Sequence, residues 1–125
     1  MDIVEADVVA HGRAGRIAHA TAAYEAVYRD SIVLKAGDVI AVGERDTEWP
    51  EFVWCTSRDG KTGWVPESAF ERHGATGIAA RDYTAAELSV QIGDVLTVEE
   101  EVGGWCWCVN SRGERGWVPG DHLAL

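Results

Sequence analysis

A seven-residue string occurs twice in this chain, as GKTGWVP at residues 60–66 and GERGWVP at residues 113–119. Each copy follows a Trp-Cys pair, Trp54-Cys55 or Trp107-Cys108, at the same distance. So specific a repeat in a chain of 125 residues says that one small unit has been built twice. Units of roughly 50–60 residues lie near the lower limit of independent folding, so each needs an efficient core. With 46% hydrophobic residues and six Trp, the composition can supply one.

Charge narrows the partners. There are 21 acidic against 11 basic residues, a net charge of −10. A phosphate backbone or an anionic lipid surface needs clustered Lys and Arg, so nucleic acid and membrane are not expected as partners. No apolar run reaches the roughly 18 residues of a membrane span, and residues 1–15 lack the basic start of a secretory signal. Three Cys, an odd number, give no disulfide framework and point to a reducing, cytoplasmic setting.

Along the chain, residues 1–23 carry the least pattern. Ile3, Val4, Val8 and Val9 suit a short strand or helical turn. Residues 17–28 are Ala-rich, but they are expected to be extended because the corresponding part of the second copy leads into strands. The stretches IVLKAGDVIAV (32–42) and LSVQIGDVLTV (88–98) align, each with a Gly-Asp turn before β-branched residues. A variable loop follows, 43–51 or 99–104, the second carrying the acidic run Glu99-Glu100-Glu101, which is read as a solvated loop. A strand comes next, 52–57 or 105–111, then a tight turn at 58–60 or 111–113. The Asp59-Gly60 pair is a hairpin signal. Pro66 and Pro119 end the last strand, since proline cannot donate to a ladder. Short strands at this spacing indicate a small barrel or sandwich.

These same residues resemble the SH3 domain, in the variant form common in bacterial proteins. The second copy carries AARDY (79–83), ELSVQIGD (87–94), GWCW (104–107) and GWVPGDHL (116–123). The first is similar through AAYEA (22–26), IVLKAGD (32–38), FVWC (52–55) and GWVPESAF (63–70). The resemblance implies an all-β protein: two tandem, closely packed five-stranded antiparallel barrels, non-catalytic and made for binding. The division that follows is an extension at 1–21, a divergent first domain at 22–71, a linker at 72–76 and a second domain at 77–125. Family core positions fall on Ile32, Ile40, Val42, Cys55, Val65 and Phe70, and on Leu88, Leu96, Val98, Cys108, Val118 and Leu123. Cys106 is expected nearer the surface.

The family's site is an aromatic groove that grips an extended proline-rich peptide. Carried over residue by residue, it falls on Tyr83, Trp105 and Pro119, with Glu87 as the acid for a ligand Arg or Lys. Arg81 and His122 stand where the family has its other two Tyr, and the loop between Tyr83 and Glu87 is short. In the first copy Tyr24 takes the place of the first Tyr, Phe52 replaces the groove Trp, Pro66 is kept, and Ala26 and Ala69 replace the other Tyr residues. Structural roles are expected for Trp54, Trp64 and Trp107. No cofactor is implied. A metal on Cys106 and His122 lacks the four ligands zinc requires. No phosphate loop, G-x-S-x-G or paired metal His occurs, so no enzyme is indicated. The expected partner is a protein or peptide held best by the second copy. The rival reading is an assembly module, such as a homodimer, with its aromatic surfaces buried.

Overall fold

A computed structural model describes residues 15–27 and 31–125. The expectation for Ile3, Val4, Val8 and Val9 lies outside these residues. Strands run in the order β1 (Arg16–Ala20), β2 (Val33–Leu34), β3 (Val39–Arg45), β4 (Phe52–Thr56), β5 (Thr62–Pro66), β6 (Phe70–His73), β7 (Thr76–Ala79), β8 (Tyr83–Thr84), β9 (Val95–Val102), β10 (Trp105–Val109), β11 (Arg115–Pro119) and β12 (Leu123–Ala124). Short 3-10 turns at Glu67–Ala69 and Gly120–His122 follow the two prolines. The protein is all-β, with two five-stranded antiparallel sheets.

The sheets do not follow the repeats. One has the order β5-β4-β3-β7-β6, and the other β11-β10-β9-β1-β12. The first strand of each repeat thus lies in the sheet built from the rest of the other repeat. Two compact units result. A contiguous unit is Ala26–Glu87; a split unit combines residues 15–25 with Leu88–Leu125. Along the chain, the contiguous unit is an insertion between Glu25 and Leu88 of the split one. Repeats in sequence and units in space are different divisions, and the sequence-expected boundaries at 22, 71 and 77 describe only the former.

The cause is local. Residues 72–76, expected to be a linker, form a hairpin instead. Phe70, Glu71, Arg72 and His73 pair with Ala79, Ile78, Gly77 and Thr76. Only Gly74 and Ala75 lie in the turn, and Gly74 has φ of +67°, a left-handed conformation that glycine adopts without a side-chain clash. A two-residue turn cannot carry β7 away from β6. So β7 completes the sheet of β3, with Val39, Ile40 and Ala41 opposite Ile78, Gly77 and Thr76. The corresponding slot beside β9 is left for β1, where Arg16 to His19 face Val98 to Val95. Residues 16–20, expected within the N-terminal extension, are therefore a barrel strand.

The two slots are filled alike. Ala20 N donates to Asp94 O at 2.9 Å and Gly93 N to Ala20 O at 2.8 Å. Ala79 N donates to Asp38 O and Gly37 N to Ala79 O, both at 2.8 Å. Ala20 and Ala79 are thus equivalent positions. The turn residues read from sequence hold too: Gly60 N donates to Ser57 O, and Gly113 N to Asn110 O, closing the β4–β5 and β10–β11 hairpins.

Period-2 alternation sets the cores. Ile32, Ile40, Val42, Cys55, Val65 and Phe70 are buried in the contiguous unit, and Leu88, Leu96, Val98, Cys108 and Val118 in the split one. Leu123 is half-buried and packs on the second of these cores. Ala18 and Ala20 of β1 belong to that same core, which the sequence reading missed. Cys106, expected near the surface, is buried with it, because the alternation along β10 points it the same way as Cys108. The acidic run is likewise not a loop but part of β9, where Glu99 pairs with Arg115 at 2.8 Å and Glu101 with Arg16 at 3.7 Å.

The division into units gives an expected outcome for fragments. Residues 26–87 alone should show dispersed amide resonances and a cooperative melt. Residues 88–125 alone, the split unit without β1, should lack both, since removing Ala18 and Ala20 opens the core and no equivalent strand is left to fill the slot. Nuclear magnetic resonance and circular dichroism on the two fragments check this.

Candidate functional site

In the split unit, β1 ends beside the 3-10 turn that follows Pro119. Thr21 N donates to His122 O at 2.7 Å, and His19 and Ala20 lie opposite Ala124 and Leu123. The chain then reaches Tyr24, which exchanges two backbone hydrogen bonds with Val90, at 2.9 and 2.8 Å. This bridge fixes where the Tyr24 ring goes. It meets Trp105 edge-to-face at 5.7 Å between centroids and His122 edge-to-face at the same distance. Perpendicular rings satisfy each other's quadrupoles. Trp105 stands opposite Pro119 in the β10–β11 ladder. All three rings are half-buried, while Pro119 is buried.

Two glycines let this corner close. Gly120 N donates to Gly104 O at 2.8 Å, and a Cβ on Gly120 would lie 2.9 Å from that same carbonyl oxygen. The close approach seats Trp105 and Pro119 side by side. His122 Nδ1 is 2.7 Å from Asp121 Oδ1. In the tautomer protonated on Nδ1, that N–H donates to the carboxylate and leaves Nε2 as an acceptor. The corner offers aromatic faces, one imidazole and an exposed carboxylate.

The contiguous unit treats the equivalent residues differently. Tyr83 and Leu34 are register partners, as Tyr24 and Val90 are in the split unit. Leu34 and Val90 occupy the same place in their repeats, so Tyr24 is the counterpart of Tyr83. The expectation that Tyr24 takes the place of the family's first Tyr is off by two residues, and the matching stretch is residues 20–24. The stretch from Tyr24 to Gly37 is three residues longer than that from Tyr83 to Gly93, and this hid the register. Tyr83 is buried, with its hydroxyl donating to Trp64 O at 3.0 Å. Phe52 is buried too, opposite a buried Pro66. Arg45 straps this end, donating to Pro50 O at 2.7 Å and pairing with Glu67. The hydrogen bond that Arg45 donates to Glu67 raises the Arg45 pKa and lowers that of Glu67.

The two sets of site residues expected from sequence are therefore regrouped. Trp105, Pro119 and His122 come together, joined by Tyr24 from the first repeat. Tyr83, Arg81 and Glu87 lie in the contiguous unit with Phe52 and Pro66. There Glu87 Oε1 accepts from Val27 N at 3.2 Å. Arg81 is half-buried, and Asp82 beside it accepts from Ala36 N at 2.9 Å. Trp54 and Trp64 stack edge-to-face at 4.9 Å across β4–β5, and Trp107 and Trp117 at 5.3 Å across β10–β11. These cross-strand pairs stiffen the hairpins, as expected for Trp54, Trp64 and Trp107.

The thiols are core groups. Burial pushes Cys55 up to about 11 and Cys108 up to about 12, and raises Cys106 as well. The thiolate is the nucleophile, so burial lowers their reactivity. Among the described residues, no cluster of His, Cys, Asp or Glu could hold a metal ion.

A five-stranded unit with a Trp-paired hairpin that ends in proline, then a 3-10 turn and a further strand, defines a small domain of the SH3 class. The family model for the variant SH3 domain matches the chain twice, over residues 17–71 and 76–125, and the chain belongs to that family. No curated protein and no solved structure matches it. Domains of this class are generally protein-interaction modules.

Three outcomes follow from this geometry. Gly120→Ala should lower stability by about 1–3 kcal/mol, because the backbone at Gly104 must move; chemical denaturation measures it. The thiols should resist alkylation by iodoacetamide near neutral pH in the folded protein, and mass spectrometry reads the extent. Their folded pKa values lie above the ordinary 9.0, so they stabilise fully below that pH. This contribution is lost as pH rises towards 11–12, and the melting temperature should fall over that range.

Proposed function

We propose that this protein is a non-catalytic recognition module that binds an extended peptide segment of a partner protein through the groove of the split unit. The observation that carries this is the trio of half-buried rings, Tyr24, Trp105 and His122, beside Pro119. Rigid aromatic faces give large contact area at small entropic cost, and a proline-rich segment in the polyproline II form presents flat rings to match. Asp121 at 72% side-chain exposure and Glu25, also exposed, offer carboxylates to a ligand Arg or Lys. They take the role that sequence reading gave to Glu87. The corresponding surface of the contiguous unit is filled by its own Tyr83 and Phe52, which supports one working groove rather than two. Free thiols held inside apolar cores support a reducing, cytoplasmic setting.

The test is a peptide-array screen followed by calorimetry on the best proline-containing ligand. Trp105→Ala should cost roughly 2 kcal/mol, about 30-fold in Kd. Tyr24→Ala should cost a comparable amount although Tyr24 belongs to the other repeat. Asp121→Asn should weaken only ligands that carry Arg or Lys. Undiminished affinity in a folded Trp105→Ala variant would refute the site.

A further inference from the structure

We propose that this chain also assembles as a dimer in which two copies reciprocally exchange the arm formed by residues 15–25. The partner is a second copy of the chain, and the interface is the slot between β9 and β12. The basis is the equivalence of the two slots. Each is already filled by a strand from the other repeat, through matching hydrogen bonds at Ala20 and Ala79. Pairing between strand and slot therefore does not require them to come from one repeat. Connectivity decides which strand fills which slot.

Connectivity treats the two strands unequally. β7 is bound to β6 by the Gly74-Ala75 turn and four register pairs, so it stays. β1 is joined to Leu88–Leu125 only through the inserted unit, its chain leaving through Glu25, Ala26 and Val27, of which Glu25 and Val27 are exposed. Val27 N donates to Glu87 Oε1 at 3.2 Å, a contact at the other chain crossing. If the chain extends at residues 25–27, the arm of one copy can occupy the β9–β12 slot of a second, and the reverse. Every ladder pair of β1, the Tyr24–Val90 bridge and the Tyr24 ring contacts re-form across the dimer. Closed and exchanged forms share their contacts, so they differ only in hinge strain and association entropy, the condition under which exchange is cheap. In the dimer each groove carries Tyr24 from one chain and Trp105, Pro119 and His122 from the other. The exchange does not depend on what the groove binds.

The test uses two full-length single variants, Ile17→Cys and Thr97→Cys. These positions are opposite each other in the β1–β9 ladder, and Ile17 is 62% exposed. Neither variant can close an intrachain bond between these positions. The two are mixed, unfolded, refolded together at high concentration, and fractionated by size with light scattering. The dimer fraction is oxidised and run on a non-reducing gel. The expected result is a disulfide-linked pair containing one chain of each variant, and none when either variant is refolded alone. Wild-type protein treated in parallel should give a dimer fraction that grows with concentration. A wild type that stays monomeric throughout overturns the proposal. So does a dimer that forms without the mixed cross-link, because that dimer associates by surface contact. If the variants do not refold, limited proteolysis of the wild-type dimer decides: cleavage at residues 25–27 should release an arm that stays bound to the other chain, and an unchanged cleavage rate relative to the monomer overturns the proposal. No readout involves a ligand, so failure of the peptide reading leaves this result standing.

Discussion

Two residues, Gly74 and Ala75, fix how this chain is divided in space. A two-residue turn closes at small entropic cost, and the four-pair ladder it starts gains roughly 0.5–1.5 kcal/mol per hydrogen bond. Carrying β7 to its own repeat would mean giving up that ladder. The local hairpin wins, and the rest follows by exclusion. β3 takes β7 as its neighbour, the slot beside β9 stays open, and among the described residues β1 is the strand of matching pattern left to fill it. The result is two five-stranded units, one continuous in sequence and one interrupted by it.

That exchange also builds the groove. The rings that meet at the split unit come from residues 24, 105 and 122, on opposite sides of the inserted unit in sequence. Their arrangement depends on backbone contacts of β1: the Thr21 bond to His122 places the turn after Pro119, and the Val90 bridge places Tyr24. The groove's geometry is thus tied to the strand exchange, and a change in the arm acts on the groove directly. In the contiguous unit the same scaffold has gone the other way. Tyr83 is drawn in, its hydroxyl satisfied by a backbone carbonyl, and Phe52 is buried opposite Pro66.

Most of the fold was legible in the sequence because it rests on local signals. The two GWVP strings, the Gly-Asp turns and period-2 burial of Ile40, Val42, Leu96 and Val98 depend on near neighbours only. The partner of each first strand was not legible. Two slots of equal pattern accept two strands of equal pattern, and nothing in the composition of β1 or β7 prefers one. The deciding signal was the length of the connection at residues 74–75, which reads as a linker until it is recognised as a turn. The same ambiguity split the groove: Trp105, Pro119 and His122 were found from family spacing, whereas Tyr24 was assigned to the wrong unit, two positions out of register. Ala18 and Ala20 were overlooked because small residues carry little hydrophobic signal, yet they are what a barrel needs where strands crowd.

In the proposed recognition site, charge and aromatic surface divide the work. The net charge of −10 acts over a distance of about a Debye length, roughly 8 Å at physiological salt, and favours the approach of cationic segments. At close range part of that acidity is already engaged: Glu99 and Glu101 pair with Arg115 and Arg16, and Glu67 with Arg45. Exposed pairs of this kind contribute little to stability, about 0–1 kcal/mol each. Their larger effect is to remove carboxylates from the pool open to a ligand. In the proposed site, specific contact then falls to the three rings, Pro119 and the exposed Asp121 carboxylate, whose Oδ1 already meets His122 Nδ1. A binding surface so constituted discriminates by shape and ring contact, with charge setting the encounter rate more than the residence time.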